Sequence, residues 1–227
     1  MFLDALRKGR QSQCKIDYEF TEDNRANDQG RGYNFTEHWA HNFHFCNWSK
    51  WLLDLPAMEA LPGGPRVLEI GVFEGRTSTW LLENLPSARY LGVEPFPNSN
   101  LRVNLNAVTR NVPGSSIVMV EAPASKALPD LITEGHKFDL VYVDGDHSEG
   151  GALWDAMLGW ELLAVGGIMI FDDYFDWELP DEMEKKLGTV RKGCDSFVNA
   201  RREDMRILWR WDQLAVRKLK EPGTTPW

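Results

Sequence analysis

Two short stretches concentrate the groups that could do chemistry. VYVDGDHS, residues 141–148, ends an apolar run with Asp144, Asp146 and His147 inside four positions, and IFDDY, residues 170–174, ends another with Asp172 and Asp173. Carboxylates forced together raise one another's pKa and destabilise the site unless a cation joins them, and a divalent oxygen-seeking ion such as Mg2+ satisfies them. Such an ion can grip two neighbouring substrate oxygens, stabilise one as it loses its proton and fix its distance from a reacting group. His147 adds a neutral imidazole able to take a hydroxyl proton near neutral pH. Each residue also has a plainer reading: Asp172 or Asp173 as a turn cap, Asp146 and Ser148 as caps of a helix at 149, and His147 as a loop histidine.

The two stretches can meet only if their strands share a crevice, as neighbouring strands do at the carboxyl edge of an open parallel sheet. The chain has the pattern for one. From PRVLEIG onward, short apolar runs predict strands over 66–71, 89–94, 115–120, 138–144 and 167–172. RTSTWLLENL, NSNLRVNLNAVTRN, PASKALPDLI and EGGALWDAMLGWELLA lie between them, each long enough for a crossover helix. A helix near 184–201 then precedes MRILWRW and QLAVRKL, which read as an antiparallel pair closing one edge, with Asp212 between them.

The first strand runs into LEIGVFEGRTSTWLLENL, which sets Glu69, Gly71, Glu74 and Gly75 around a strand-to-helix turn opened by Thr77 and Ser78. Glycines there let the backbone approach a ligand closely. The spacing is G-x-x-x-G, without the G-x-G-x-x-G of dinucleotide sites or the Lys-Ser/Thr of a P-loop, and the two acids would repel a pyrophosphate. A cationic cofactor matches better. Glu94, closing the second strand, can accept hydrogen bonds from both hydroxyls of a ribose.

In order and spacing, VLEIGVFEGRTSTWLLENLP, YLGVEPF, FDLVYVDGDHSEGG and LLAVGGIMIFDDY resemble a class I S-adenosylmethionine-dependent methyltransferase over about Pro65 to Tyr174. The ends of strands 4 and 5 are similar to those of metal-dependent O-methyltransferases of the catechol and, especially, the macrolide-sugar and aminocoumarin-sugar types. The resemblance implies a Rossmann-like α/β fold, its seven strands ordered 3-2-1-4-5-7-6 with the last antiparallel. It implies S-adenosylmethionine held by Glu69, Gly71, Glu74, Gly75, Ser78, Glu94, Ser125 and Asp144. It also implies Mg2+ held by Asp144, Asp172 and Asp173, with His147 as general base beside Asp144, while Asp146 has no assigned part. Where the family usually has a Gly-Asp-Ser motif after strand 3, this chain has Glu121-Ala122-Pro123, which weakens the assignment of Ser125 to the adenine.

The remaining sequence narrows the partners. At 227 residues the chain fits one α/β domain, and a net charge of -9 with no long basic run disfavours nucleic acid and anionic membranes, leaving a small-molecule acceptor. Cys14, Cys46 and Cys194 form no CxxC pair and suggest neither a disulfide framework nor a thiolate zinc site, and no export signal or membrane span is read, so the expected location is cytoplasmic. The predicted organisation is a flexible leader or lid over 1–34, a helical cap over 35–62 with Thr36 as N-cap, a methyltransferase domain over 63–220 and a tail over 221–227. His38, His41 and His44 drift around a helix at steps of three and read as a solvated or cofactor-covering face rather than a zinc site. Trp177 is a candidate for the acceptor pocket, and the aromatic N-terminal helices offer a surface for pairing with a second copy. Two rivals remain: a metal-independent N- or O-methyltransferase, and a non-catalytic cofactor-binding module.

Overall fold

The computed structural model describes residues 28–36, 42–175, 181–221 and 223. The N-terminal part comprises helix α1 (Asn42–Asn47), which continues as a π turn over Trp48–Leu52, and helix α2 (Leu55–Glu59), capped by the Asp54 side chain. An alternating series follows: β1 (Arg66–Ile70), α3 (Arg76–Asn84), β2 (Arg89–Val93), α4 (Ser99–Asn111), β3 (Ser116–Val120), α5 (Ala124–Thr133), β4 (Phe138–Val143), α6 (Glu149–Leu162) and β5 (Leu163–Phe171). Helix α7 (Asp181–Arg201) leads to β6 (Met205–Arg210) and β7 (Leu214–Lys218). The strands form one sheet of order β3-β2-β1-β4-β5-β7-β6, parallel through β5, with β7 antiparallel to both of its neighbours. This is the expected topology.

Strand alternation sorts the core into two layers. Leu68, Ile70, Val141 and Val143 face α5, α6 and α7, where Leu128, Trp160 and Phe197 meet them. Val67, Leu140, Tyr142 and Ile170 face the other way, against Leu81 and Leu82 of α3, Val108 of α4 and Trp48. Period two therefore sends Glu69, between Leu68 and Ile70, toward the α3 side.

Strand β5 begins four residues earlier than expected. Leu163 pairs with Phe138, and the register shifts before Leu140 pairs with Ile168, so Gly166, at φ 86, lies in an irregularity within the strand rather than ahead of it. Residues 28–34, expected in a flexible leader, are packed where described: Tyr33 is buried, and its hydroxyl donates to Glu83 at 2.5 Å. Arg76 pairs with Asp28 at 2.8 Å and lies over the ring of Phe35. Thr36 gives its backbone N–H and hydroxyl to Glu74, at 2.8 and 2.6 Å. Cys194 is buried and free, whereas Cys46 is disulfide-bonded, a pairing that the sequence spacing did not suggest. Among the described residues no helix is long and apolar enough to cross a membrane.

Candidate active site

Strands β1 and β4 end side by side, joined where the Asp144 N–H donates to the Ile70 carbonyl at 2.8 Å. Gly71 makes the close approach possible: its φ is +79, and a Cβ there would collide with the Asp144 carbonyl oxygen. The Asp144 side chain thus emerges at the lip of the loop between β1 and α3. Its Oδ1 lies 3.2 Å from His147 Nε2, and the same nitrogen lies 3.7 Å from Oδ2 of Asp173. One ligand atom from each of Asp144, His147 and Asp173 can be chosen so that all lie within 4.8 Å of one another.

Electrostatics mark this cluster as short of positive charge. Burial, followed by the charge of Asp172, pushes the Asp144 carboxyl up to about 7. The hydrogen bond to the Asp144 carboxylate raises the His147 imidazole above its ordinary value against the opposing effect of burial. Asp172, expected as a third ligand, directs Oδ1 at the side-chain amide of Gln213, 2.8 Å away. His147 thus stands among the clustered donors, while Asp172 is tethered from behind. Asp173 has φ 52, a strained value for a residue with a side chain. The Asp212 carbonyl accepts the N–H groups of Tyr174 and Phe175, at 2.9 and 3.1 Å, and holds that turn.

Asp146 has a local role. Its Oδ1 accepts the Ser148 N–H at 2.8 Å, and hydrogen bonds from the Ser148 backbone and side chain hold its carboxyl below the usual range, while Ser148 caps α6 through Gly151. Asp155, which the sequence reading missed, lies beneath this turn: its Oδ2 accepts the Asp146 N–H at 3.3 Å, and burial pushes its carboxyl up to about 6. The available signal was an acid on the apolar face of GALWDAMLGW.

A cavity of about 830 Å3 adjoins the cluster, in the range of small-molecule sites. Gly71, Glu94, Ser125 and Asp144, four of the residues expected to hold the cofactor, line it. The Glu94 carboxylate accepts backbone N–H groups from Val72, Phe73 and Phe96 at 2.9–3.0 Å, so it shapes the loop it borders. Glu69, Glu74, Gly75 and Ser78 stand behind the lining. Glu69 accepts hydroxyls from Ser78 at 2.8 Å and Tyr90 at 2.7 Å, and full burial pushes its carboxyl up to about 8. Glu74 holds Thr36 and also accepts from Asn100 at 2.9 Å. Gly75 enters α3 with φ 78. Phe73, Phe96 and Trp154 were not singled out in sequence, yet all three line the cavity and stay exposed, Phe96 by 84% and Trp154 by 52%.

The N-terminal helix reaches the same region from outside. His44 Nε2 contacts Asp212 Oδ2 at 2.7 Å; burial lowers the imidazole pKa, but Asp212 and the nearby Asp172 and Asp173 raise it further. His38, His41 and Trp177 lie outside the described residues. Among those described, Asp144, His147 and Asp173 form the candidate metal group.

Residues 68–174 match a family described as a methyltransferase domain. The chain is 29% identical over 132 residues to the O-methyltransferase hkm8 of Aspergillus hancockii, covering 56% of this chain and 49% of that protein. It is likewise 29% identical over 114 residues to the uncharacterized protein R132 of Acanthamoeba polyphaga mimivirus, covering 48% of this chain and 52% of that one. The chain therefore spans about half the length of these relatives. Its fold is similar to that of an O-methyltransferase from Bacillus cereus solved in complex with S-adenosylhomocysteine, with a TM-score of 0.57, 15% identity and 93% and 96% of the two chains covered. A Corynebacterium glutamicum protein is similar to the same degree, with a TM-score of 0.56, 15% identity and 98% and 99% covered.

Proposed function

We propose that this chain, whose residues 68–174 match a methyltransferase-domain family, is a class I S-adenosylmethionine-dependent methyltransferase that methylates a hydroxyl of a small molecule with the help of a divalent cation. The observation that carries the reading is the convergence of Asp144, His147 and Asp173 at the rim of the cofactor-sized cavity, Asp144 belonging to both. Glu94 and Asp155 leave the cavity wall acidic, which suits a ligand with a sulfonium and an ammonium group.

The donor set suits a divalent ion: two carboxylates and an imidazole, with Asp144 so short of counter-charge that its carboxyl titrates near 7. Asp144 and Asp173 would hold Mg2+, with Asp172 beside them. When bound, the ion supplies Lewis-acid stabilisation of an oxygen that is losing its proton. His147 would take that proton, and its side chain, 40% exposed, can pass it to water. The acceptor oxygen forms its bond to the methyl carbon as the sulfur–methyl bond breaks. Acceptors with adjacent oxygens, such as a sugar or polyketide diol or a catechol, fit a site that grips two oxygens.

A metal-independent transfer is the second reading, favoured by the 3.2 Å contact that already pairs His147 with Asp144. Methyl transfer from labelled S-adenosylmethionine to a panel of sugars, catechols and amines, before and after EDTA treatment, separates the two. Our reading expects product on oxygen, lost with EDTA and restored by Mg2+. Transfer that persists under EDTA and in Asp173→Asn selects the metal-independent mechanism.

A further inference from the structure

The turn between β6 and β7 is wedged between the N-terminal helix and the acids at the end of β5. Gln213, in that turn, is 1% exposed and makes three side-chain hydrogen bonds. Its Oε1 accepts the indole N–H of Trp48 at 2.8 Å, and its Nε2 faces the Tyr142 hydroxyl at 3.2 Å and Oδ1 of Asp172 at 2.8 Å. Trp48 and Tyr142 are both fully buried, with their rings edge to face at 5.2 Å.

The polarity of this network is fixed by chemistry. An indole N–H can only donate and an ionised carboxylate can only accept. The Gln213 amide therefore satisfies both neighbours in one orientation alone; turned over, it would set its NH2 against the indole N–H and its oxygen against the carboxylate. Trp48 thus selects the amide orientation, and the amide holds one carboxylate oxygen of Asp172.

We propose that Gln213 is the positioning residue for Asp172, and that Trp48, acting through Gln213, makes the N-terminal helix part of the frame that sets the acid cluster. The two residues stand 165 positions apart in sequence and meet only in the fold. The neighbouring contact reinforces the same junction: His44 reaches Asp212, whose carbonyl holds the strained turn after Asp173. The inference rests on the reading of the acid cluster as a divalent-cation site.

Mn2+ and Mg2+ titrated calorimetrically into the full chain saturated with S-adenosylhomocysteine provide the test. Gln213→Met keeps length and apolar volume but removes both ends of the amide. It should weaken Mn2+ about 10-fold, the low end of the usual effect of outer hydrogen bonds at a metal site because Asp172 stands beside the two carboxylate ligands, and leave S-adenosylhomocysteine affinity within about twofold. Trp48→Phe keeps a ring against Tyr142 and removes the N–H that orients the amide; a smaller loss of about 3–10-fold is expected, because the amide itself remains. If the first variant does not fold, the second decides. Unchanged Mn2+ affinity in a folded variant overturns the proposal, as does a fall in melting temperature and S-adenosylhomocysteine binding with the cation site intact. No Mn2+ or Mg2+ binding by the unaltered protein would instead remove the cation reading on which the proposal stands.

Discussion

Glu69→Gln separates an acid that touches the cofactor from an acid that supports the loop in its neutral form. The Glu69 carboxyl is fully enclosed against Ser78 and Tyr90, and burial moves its pKa from an ordinary 4.5 to about 8. A group whose folded-state pKa is raised contributes stability that is complete below its unfolded value and is lost as pH rises through the folded value. Stability should therefore decline between about pH 5 and pH 8. At about 1.36 kcal/mol per unit, the 3.5-unit difference sets a ceiling near 5 kcal/mol, of which roughly 3 kcal/mol develops across that window. For a chain of this size that is roughly 6–12 °C in melting temperature. Glutamine can keep an oxygen for both hydroxyls and does not ionise, so its own cost is independent of pH and cancels. Thermal unfolding of the two proteins from about pH 5 to pH 8 should show the variant gaining on the parent by about 3 kcal/mol as pH rises. S-adenosylhomocysteine affinity near pH 7 should stay within about threefold, since an indirect support loses little when its hydrogen bonds remain. Parallel stability curves, or a loss of affinity beyond about tenfold, would refute the argument: the first would mean Glu69 is already ionised in the fold, the second that its charge reaches the ligand.

Other changes bear on the remaining parts of the site. Asp144→Asn should cut methyl transfer by more than about 100-fold, exceeding the typical effect of outer-shell changes. Because the folded-state pKa of Asp144 is raised to about 7, the same variant without metal should melt at or above the parent at pH 8, as differential scanning fluorimetry can check. Gly71→Ala puts a side chain at φ +79 against the Asp144 carbonyl; conformational strain and overpacking together should cost about 3 kcal/mol or more, seen in urea unfolding with loss of S-adenosylhomocysteine binding. Thr36→Val removes a 2.6 Å hydrogen bond to the buried Glu74 carboxylate and should cost about 1 kcal/mol, with faster proteolysis near residue 36.

The sheet was legible because its signals are local. Apolar runs bounded by glycine, proline or charged residues mark each strand from β1 to β5, and the crossover helices have caps such as Asn98 and Ser148 in place. The convergence of Asp144 with Asp173 followed from their positions at the ends of adjacent parallel strands. The direction of Asp172 was hidden, because it depends on Gln213, 41 residues later in the turn between β6 and β7, whose place beside β5 no local pattern fixes. Glu69 could have been placed by period two alone, since its neighbours Leu68 and Ile70 face the α5–α7 side. Glu74 could not: its partner Thr36, which reads as a helix N-cap, follows a polar segment that reads as loop but packs through Tyr33. Strand β5 misled at Gly166 because a bulge and a turn share the same residue preference.

The central claim is that the ends of β4 and β5 form one cation site facing the methyl donor. A crystal of the full chain grown with S-adenosylhomocysteine and Mn2+ tests it through anomalous scattering. The account predicts S-adenosylhomocysteine in the cavity bordered by Glu94 and Ser125, and a single strong Mn2+ peak in contact with both Asp144 and Asp173. S-adenosylhomocysteine in place with no peak within coordinating distance of Asp144 would contradict it.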